Sequence, residues 1–195
     1  MSFHNNFDFN SLFGCHNLIY GETNTKKTYY TARFVRFLLE LKNVSSKDIS
    51  ILDFAPNLLK IKNLKIGGKI QDFYGDSTKC KNLTFKGEII PPRFKSSNKT
   101  ELYQNACENF NKTSKILNSF NEEPTPILII NDISIFLHMG SLKLLLRAIN
   151  KSSTFFGNSY YGSSIKRDFA NLFSRREKRQ VENLIKEVEK SYFTG

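Results

Sequence analysis

Asn17-Leu-Ile-Tyr-Gly-Glu-Thr-Asn-Thr-Lys-Lys-Thr28 decides the fold. Leu18, Ile19 and Tyr20 form a short apolar strand. Gly21 to Thr28 is a tight polar turn that opens a helix. The turn matches the phosphate-binding pattern G-x-x-x-x-G-K-[ST] at Gly21, Lys27 and Thr28. Lys26 stands where the pattern has its second glycine. In such a turn, backbone N–H groups of the loop and of the helix start point at phosphate oxygens. On that pattern Gly21 would permit the sharp turn, Lys27 would reach the β- and γ-phosphates, and Thr28 would give its hydroxyl to magnesium. The candidate loop is therefore Gly21, Glu22, Thr23, Asn24, Thr25, Lys26, Lys27 and Thr28. If position 26 takes a positive φ, lysine there costs on the order of 1 kcal/mol relative to glycine.

A second apolar run, Ile127-Leu-Ile-Ile-Asn-Asp132, reads as a strand covered on both faces, as in a parallel sheet. It ends in a carboxylate suited to holding a magnesium ion opposite the loop. Asn131-Asp132 leaves the register open. Asp132 is either the metal residue or stands one place later, where a water-polarising base belongs. Asp53 closes another short strand, Ser50 to Phe54, and either caps the following turn or faces the same ligand edge.

The rest of the chain supplies the alternation. The spacing predicts helices over Thr28 to about Lys42, 99–120, Ser141 to about Asn150, and 175–190. Asn98 with Glu101, and Ser174 with Glu177, read as helix starts. Cys107 falls on the apolar face of the second helix. Strands are expected at Leu83 to Ile90, at Thr154 to Gly157 and, last and short, at Tyr192-Phe193. Residues 1–16 read as an irregular arm carrying Phe3, Phe7, Phe9 and Phe13. Residues 57–99 read as a basic, irregular insertion in a single domain spanning 1–195. Its aromatics Phe73, Tyr74, Phe85 and Phe94 alternate with lysines, as on a surface that stacks single-stranded nucleic acid, or in a solvated loop. Strands alternating with helices predict an α/β fold, a three-layer sandwich around a mainly parallel sheet.

Composition sets the bounds. The chain has 195 residues, 39% of them hydrophobic, so it can bury a core. Its net charge of +11 favours phosphate-bearing partners. The excess is mostly lysine in a chain rich in Asn, Ile and Phe, which is also the usage of an AT-rich genome. Cys15, Cys80 and Cys107 are scattered, which argues against a zinc cluster and for a reducing compartment. There is no secretory signal pattern at Met1 to Asp8 and no apolar run long enough to span a bilayer. A cytoplasmic protein is expected, with no membrane partner.

Asn158 lies in a polar stretch at the same sheet edge, where a sensor of the γ-phosphate is expected. His138 follows the second strand and reads as a turn histidine bonded to backbone, or as a site residue. Arg175 and Arg176 are candidates for charge-stabilising fingers.

Gly21, Lys27-Thr28, Leu52-Asp-Phe54 and Ile127 to Asp132 followed by Ser134 to Gly140 carry a resemblance. On these residues the chain resembles the P-loop NTPases of the recombinase-like branch. It looks like uncharacterised archaeal P-loop ATPases and, more distantly, corrinoid adenosyltransferases. The resemblance implies ATP or GTP with Mg2+ as ligand, and slow hydrolysis or a nucleotide-dependent switch. It implies Lys27 and Asp132 as catalytic residues, and Thr28, Asp132 and Asp53 around the metal. It also implies a strand between the loop strand and the carboxylate strand. Lys26 and Asn131 depart from the pattern. Two other readings stand beside it: a small-molecule kinase or transferase with its acceptor in 57–99, and a nucleic-acid-binding or scaffold module without catalysis.

Overall fold

The computed structural model describes residues 7–61, 64–165 and 168–195. Phe3 of the expected arm and Lys62 of the basic stretch lie outside them. In chain order the main strands are β1 (His16–Gly21), β2 (Ile49–Asp53), the hairpin strands β3 (Leu59–Ile61) and β4 (Leu64–Ile66), then β5 (Lys81–Leu83), β6 (Ile127–Asn131), β7 (Thr154–Tyr160) and β8 (Lys190–Phe193). The helices are α1 (Lys27–Arg36), α2 (Pro92–Lys95), α3 (Lys99–Glu122), α4 (Ile133–Leu137), α5 (Leu142–Ile149) and α6 (Asn171–Glu187).

Six strands form one parallel sheet in the order β5-β2-β6-β7-β1-β8. The fold is α/β, and β7 lies between β1 and β6. The physical reason is visible in β6, where every residue is buried. Successive side chains of a strand point to opposite faces. Ile127 and Ile129 join a cluster with Phe34, Val35 and Leu38 of the first helical segment. Leu128 and Ile130 join a cluster with Leu117 and Phe120 of α3, Leu145 of α5 and Leu184 of α6. Each fully buried Leu, Ile or Phe contributes roughly 1.5–3 kcal/mol. Neither face of such a strand tolerates a polar swap.

Several boundaries differ from expectation. α1 gives way at Phe37–Leu41 to a π turn, closed by Lys42 N–H on the Phe37 carbonyl at 3.0 Å. The strand expected at Leu83 to Ile90 is instead β5, which ends at Leu83 and adds an edge to the main sheet. Gly87, at φ +82°, turns the chain away beyond it. The segment 57–99 is therefore tied into the sheet rather than set apart from it. β7 runs three residues past Gly157, to Tyr160. Asn98 does cap α3, accepting from Glu101 N–H at 3.0 Å. Ser174 does not start a helix, because α6 begins at Asn171. Cys107 is exposed rather than part of the apolar face of α3. Within the arm, Phe7 and Phe9 pack on Tyr30, Phe34 and Phe37, with ring centroids 4.9–5.8 Å apart. No helix among the described residues is long and apolar enough to cross a membrane.

Candidate functional site

The turn between β1 and α1 sits at the carboxyl edge of the parallel sheet. Two of its residues, Asn24 and Lys26, take left-handed backbone at φ +62°. Lys26 immediately precedes the first residue of α1, and its side chain is exposed. Gly21 is needed for space: a Cβ there would lie 2.5 Å from Thr194 Oγ1. Thr194 also bonds the turn through Thr25, Oγ1 to Oγ1 at 2.7 Å.

Lys27 turns its ammonium into the loop. Nζ donates to the carbonyls of Gly21, at 3.0 Å, and of Glu22, and to Thr25 Oγ1 at 3.2 Å. Burial lowers its pKa to about 8, against the charges of Asp132 and Glu22. The Glu22 carboxylate reaches across to the loop after β7. It accepts from the backbone N–H groups of Ser163 and Ser164 and from the Ser164 hydroxyl. Burial raises the pKa of Glu22, but these hydrogen bonds together hold it below the usual value. Gly162 makes room for this contact, since a Cβ would lie 2.2 Å from the Glu22 carboxyl carbon.

The end of β6 settles which side chain faces the loop. Thr28 Oγ1 donates to Asn131 Oδ1 at 3.2 Å. Asn131 is fully buried, and its Nδ2 donates to Asp53 Oδ1 at 2.8 Å and to the Gly68 carbonyl at 3.1 Å. Asn158 joins from β7, donating to Asn131 Oδ1 at 2.7 Å and to Thr31 Oγ1 at 2.8 Å. Its own Oδ1 accepts from Asp132 N–H at 3.0 Å. Asn131 and Asn158 thus tie together four elements: α1, β2, β6 and β7.

Asp132 lies one residue on, in left-handed backbone at φ +56°. Its Oδ1 accepts from Ser134 Oγ at 2.6 Å. Burial pushes its carboxyl upward, against the Ser134 hydrogen bond and the charges of Lys27 and His138. Asp53 is otherwise occupied: its oxygens accept from Ala55 N–H at 3.2 Å and Ile70 N–H at 2.8 Å, and Lys69 Nζ stands 3.8 Å away. Burial also pushes its carboxyl upward, against Lys69 and those hydrogen bonds. It caps the turn after β2 while holding Asn131.

A cavity of about 600 Å³ opens over the loop. Thr23 to Tyr29 line one side, with Asp132 and Asn158 below and an apolar wall that includes Pro56, Leu58 and Phe73. This size suits a small-molecule ligand. Phe94 also lines the cavity, whereas Tyr74 and Phe85 pack against the core. The aromatics of 57–99 therefore do not form one stacking face.

Several residues read differently from sequence alone. His138 bonds a carboxylate rather than backbone through its ring, with Nε2 to Glu177 Oε2 at 2.6 Å. Arg93, which sequence reasoning passed over, pairs with the same carboxylate at 2.7 Å. Arg176 donates to the carbonyls of His138, Met139 and Gly140 at 3.1–3.3 Å, tying down the chain after α4, while Arg175 is exposed. Glu177 is spent on Arg93 and His138 rather than on a helix cap. Among the described residues no group of three or more His, Cys, Asp or Glu could hold a metal ion. A metal at this edge would depend on hydroxyl, isolated carboxylate and ligand oxygens. No family model and no curated protein sequence matches the chain.

Proposed function

We propose that the chain binds a nucleoside triphosphate, ATP or GTP, with Mg2+ at the Gly21–Thr28 turn, and turns it over slowly or uses it as a switch. One observation carries the reading: the Lys27 ammonium rests on three oxygens of its own loop at the floor of an open cavity. A half-buried cation held by neutral oxygens gains by exchanging them for phosphate oxygens, as charge-assisted bonds are the stronger kind. The turn at the start of a ten-residue helix adds backbone N–H groups and the favourable end of the helix dipole. The strand order supports the same reading, because β7 separates the loop strand from β6.

The donor set fits a magnesium ion, which takes few protein ligands and keeps several waters. Thr28 would give its hydroxyl directly. Asp132, with burial opposing its charge, would hold the ion through water. Asp53 and Asn131 would orient Thr28, as Asp53 already bonds Asn131 and Asn131 bonds Thr28. When bound, the ion neutralises charge developing on the phosphates. An amide rather than a carboxylate opposite Thr28 weakens that hold, which accounts for slow turnover as the expected behaviour.

The test is calorimetric titration with Mg–ATP and Mg–GTP, followed by measurement of phosphate release. Binding with slow release agrees with the proposal. Absence of binding by either nucleotide overturns it.

A further inference from the structure

The outer face of one helical layer carries charge that the fold does not use. α5 and α6 pack on each other, and Leu145, Ala148 and Ile149 share a core with Val181 and Leu184. Arg176 also ties α6 to the start of α5, through the Gly140 carbonyl at 3.3 Å. At 3.6 residues per turn, a side chain two places from a buried one points away from the core. Lys143 and Arg147 stand two places either side of buried Leu145. Arg175 and Arg179 stand two places either side of buried Glu177. All four are exposed.

None of the four has an ion pair among the described residues. Other arginines are occupied. Arg33 stands over the Phe9 and Tyr29 rings, Arg36 pairs with Glu40, Arg93 pairs with Glu177, and Arg176 donates to carbonyls. Arg167 lies outside the described residues. Arg147, Arg175 and Arg179 are left, and they share this face. The excess charge of the chain is mostly lysine, so a patch led by arginine departs from its composition. Nearby carboxylates do not neutralise the patch. α5 has no acidic residue. In α6, Glu177 is buried against Arg93 and His138, and Glu182 accepts from the Tyr161 hydroxyl at 2.9 Å. Glu187 lies about two turns beyond Arg179. Lys143–Arg147 and Arg175–Arg179 are like charges four residues apart, a spacing that destabilises a helix. Lys143 also sits in the first turn of α5, where the helix dipole disfavours a cation. An anion outside the chain relieves both penalties.

We propose that the α5–α6 face binds the phosphate backbone of duplex nucleic acid. Its cations are spread over two helices, whose axes in packed pairs run about 8–10 Å apart, too wide for one small anion to meet them all. The planar fork of arginine matches phosphate oxygens in pairs. A single strand is held by stacking its bases on aromatic side chains, and the sole aromatic of these two helices, Phe173, is buried. A bilayer surface fits less well, because binding there needs an exposed apolar stripe. The apolar stripes of both helices are spent on the core, and among the described residues only Leu172 is a large exposed hydrophobic on them. None of the four cations lines the cavity over the loop, so this surface is separate from the nucleotide site.

The experiment titrates fluorescent duplex DNA and duplex RNA of mixed sequence with the full chain, by anisotropy, across salt concentrations. Wild type binds a duplex at about 1–100 μM near physiological salt, and for DNA log K falls with log salt at a slope of about −3.6, the value for four phosphates neutralised. Arg175→Gln/Arg179→Gln binds about tenfold or more weakly at low salt, and its slope falls to about −1.8. Its Tm without nucleic acid is no lower than that of wild type, since a like-charge pair is gone. Lys143→Gln/Arg147→Gln, on the neighbouring helix, shows the same loss. Lys47→Gln/Lys86→Gln removes equal charge from exposed lysines away from α5 and α6, and keeps the wild-type affinity and slope. No binding to either duplex, an equal loss in the Lys47→Gln/Lys86→Gln variant, or tighter binding of a single strand overturns the proposal. So does binding to phosphatidylserine vesicles that Arg175→Gln/Arg179→Gln abolishes while its duplex binding stays at the wild-type level.

Discussion

Thr28 meets Asn131, not Asp132: its hydroxyl donates to the Asn131 amide oxygen at 3.2 Å. The side chain opposite the loop is thus an amide buried against Asp53, and the carboxylate of Asp132 comes one residue later in left-handed backbone. Of the pair Asn131-Asp132, Asn131 is thus the side chain that meets Thr28, and with Asp53 it knits the floor together.

Asn131→Asp tests that arrangement. The change removes the Nδ2 donor from Asp53 and Gly68 and sets two carboxylates side by side. The variant loses about 2–4 kcal/mol in metal-free urea unfolding, the scale of a buried unpaired charge. Mg–ATP recovers part of that loss by binding between them.

Lys26 carries a modest strain. At φ +62° a lysine is disfavoured, and glycine is not. Lys26→Gly is expected to stabilise the protein by about 0–1 kcal/mol, with the larger chain entropy of glycine offsetting part of the relief. Lys26→Val, with a branched Cβ, destabilises by at least about 1 kcal/mol. Chemical denaturation of the pair measures both signs.

The Glu22 contact with Ser163 and Ser164 predicts a coupled loop. Gly162→Ala pushes a methyl group into the Glu22 carboxyl group and opens it. Hydrogen exchange at the Ser163 and Ser164 amides then speeds up by about tenfold or more, while amides of β6 keep their protection.

Glu177 sets an acid limb. Its pKa is lowered in the folded chain, so its contribution is complete above the ordinary carboxylate value of 4.5 and is lost as pH falls through the folded value. Glu177→Gln removes the buried carboxylate that pairs with Arg93 and meets His138, and costs about 1–3 kcal/mol at pH 7. The gap to wild type narrows below pH 4.5. Urea unfolding across pH 3–7 checks the sign.

Much of the fold was readable because it rests on local pattern. Leu18 to Gly21 and Ile127 to Ile130 are apolar runs bounded by turn residues, and burial on both faces demands such runs. The end of β7 was not readable. Asn158 and Ser159 look like a loop in sequence, and only partners on α1 and β6 let Asn158 be buried within a strand. The turn between β1 and α1 was legible from spacing alone. The Arg93–Glu177–His138 cluster was not, since its members lie 84 and 39 residues apart. Ser174 and Glu177 fit a capping pattern equally well by spacing, and tertiary pairing overrode it. A buried glutamate inside an amphipathic helix was the one signal that pointed to a partner.

The central claim is that Lys27 holds a phosphate in place of its loop oxygens. Thermal unfolding of wild type and Lys27→Ala, with and without a saturating Mg–nucleoside triphosphate, tests it most directly. At a ligand concentration about 100 times Kd, wild type gains about 2.7 kcal/mol, seen as a rise of a few degrees in Tm. Lys27→Ala is expected to fold and to show no such rise. A wild type indifferent to nucleotide, or a Lys27→Ala that responds equally, would contradict the account.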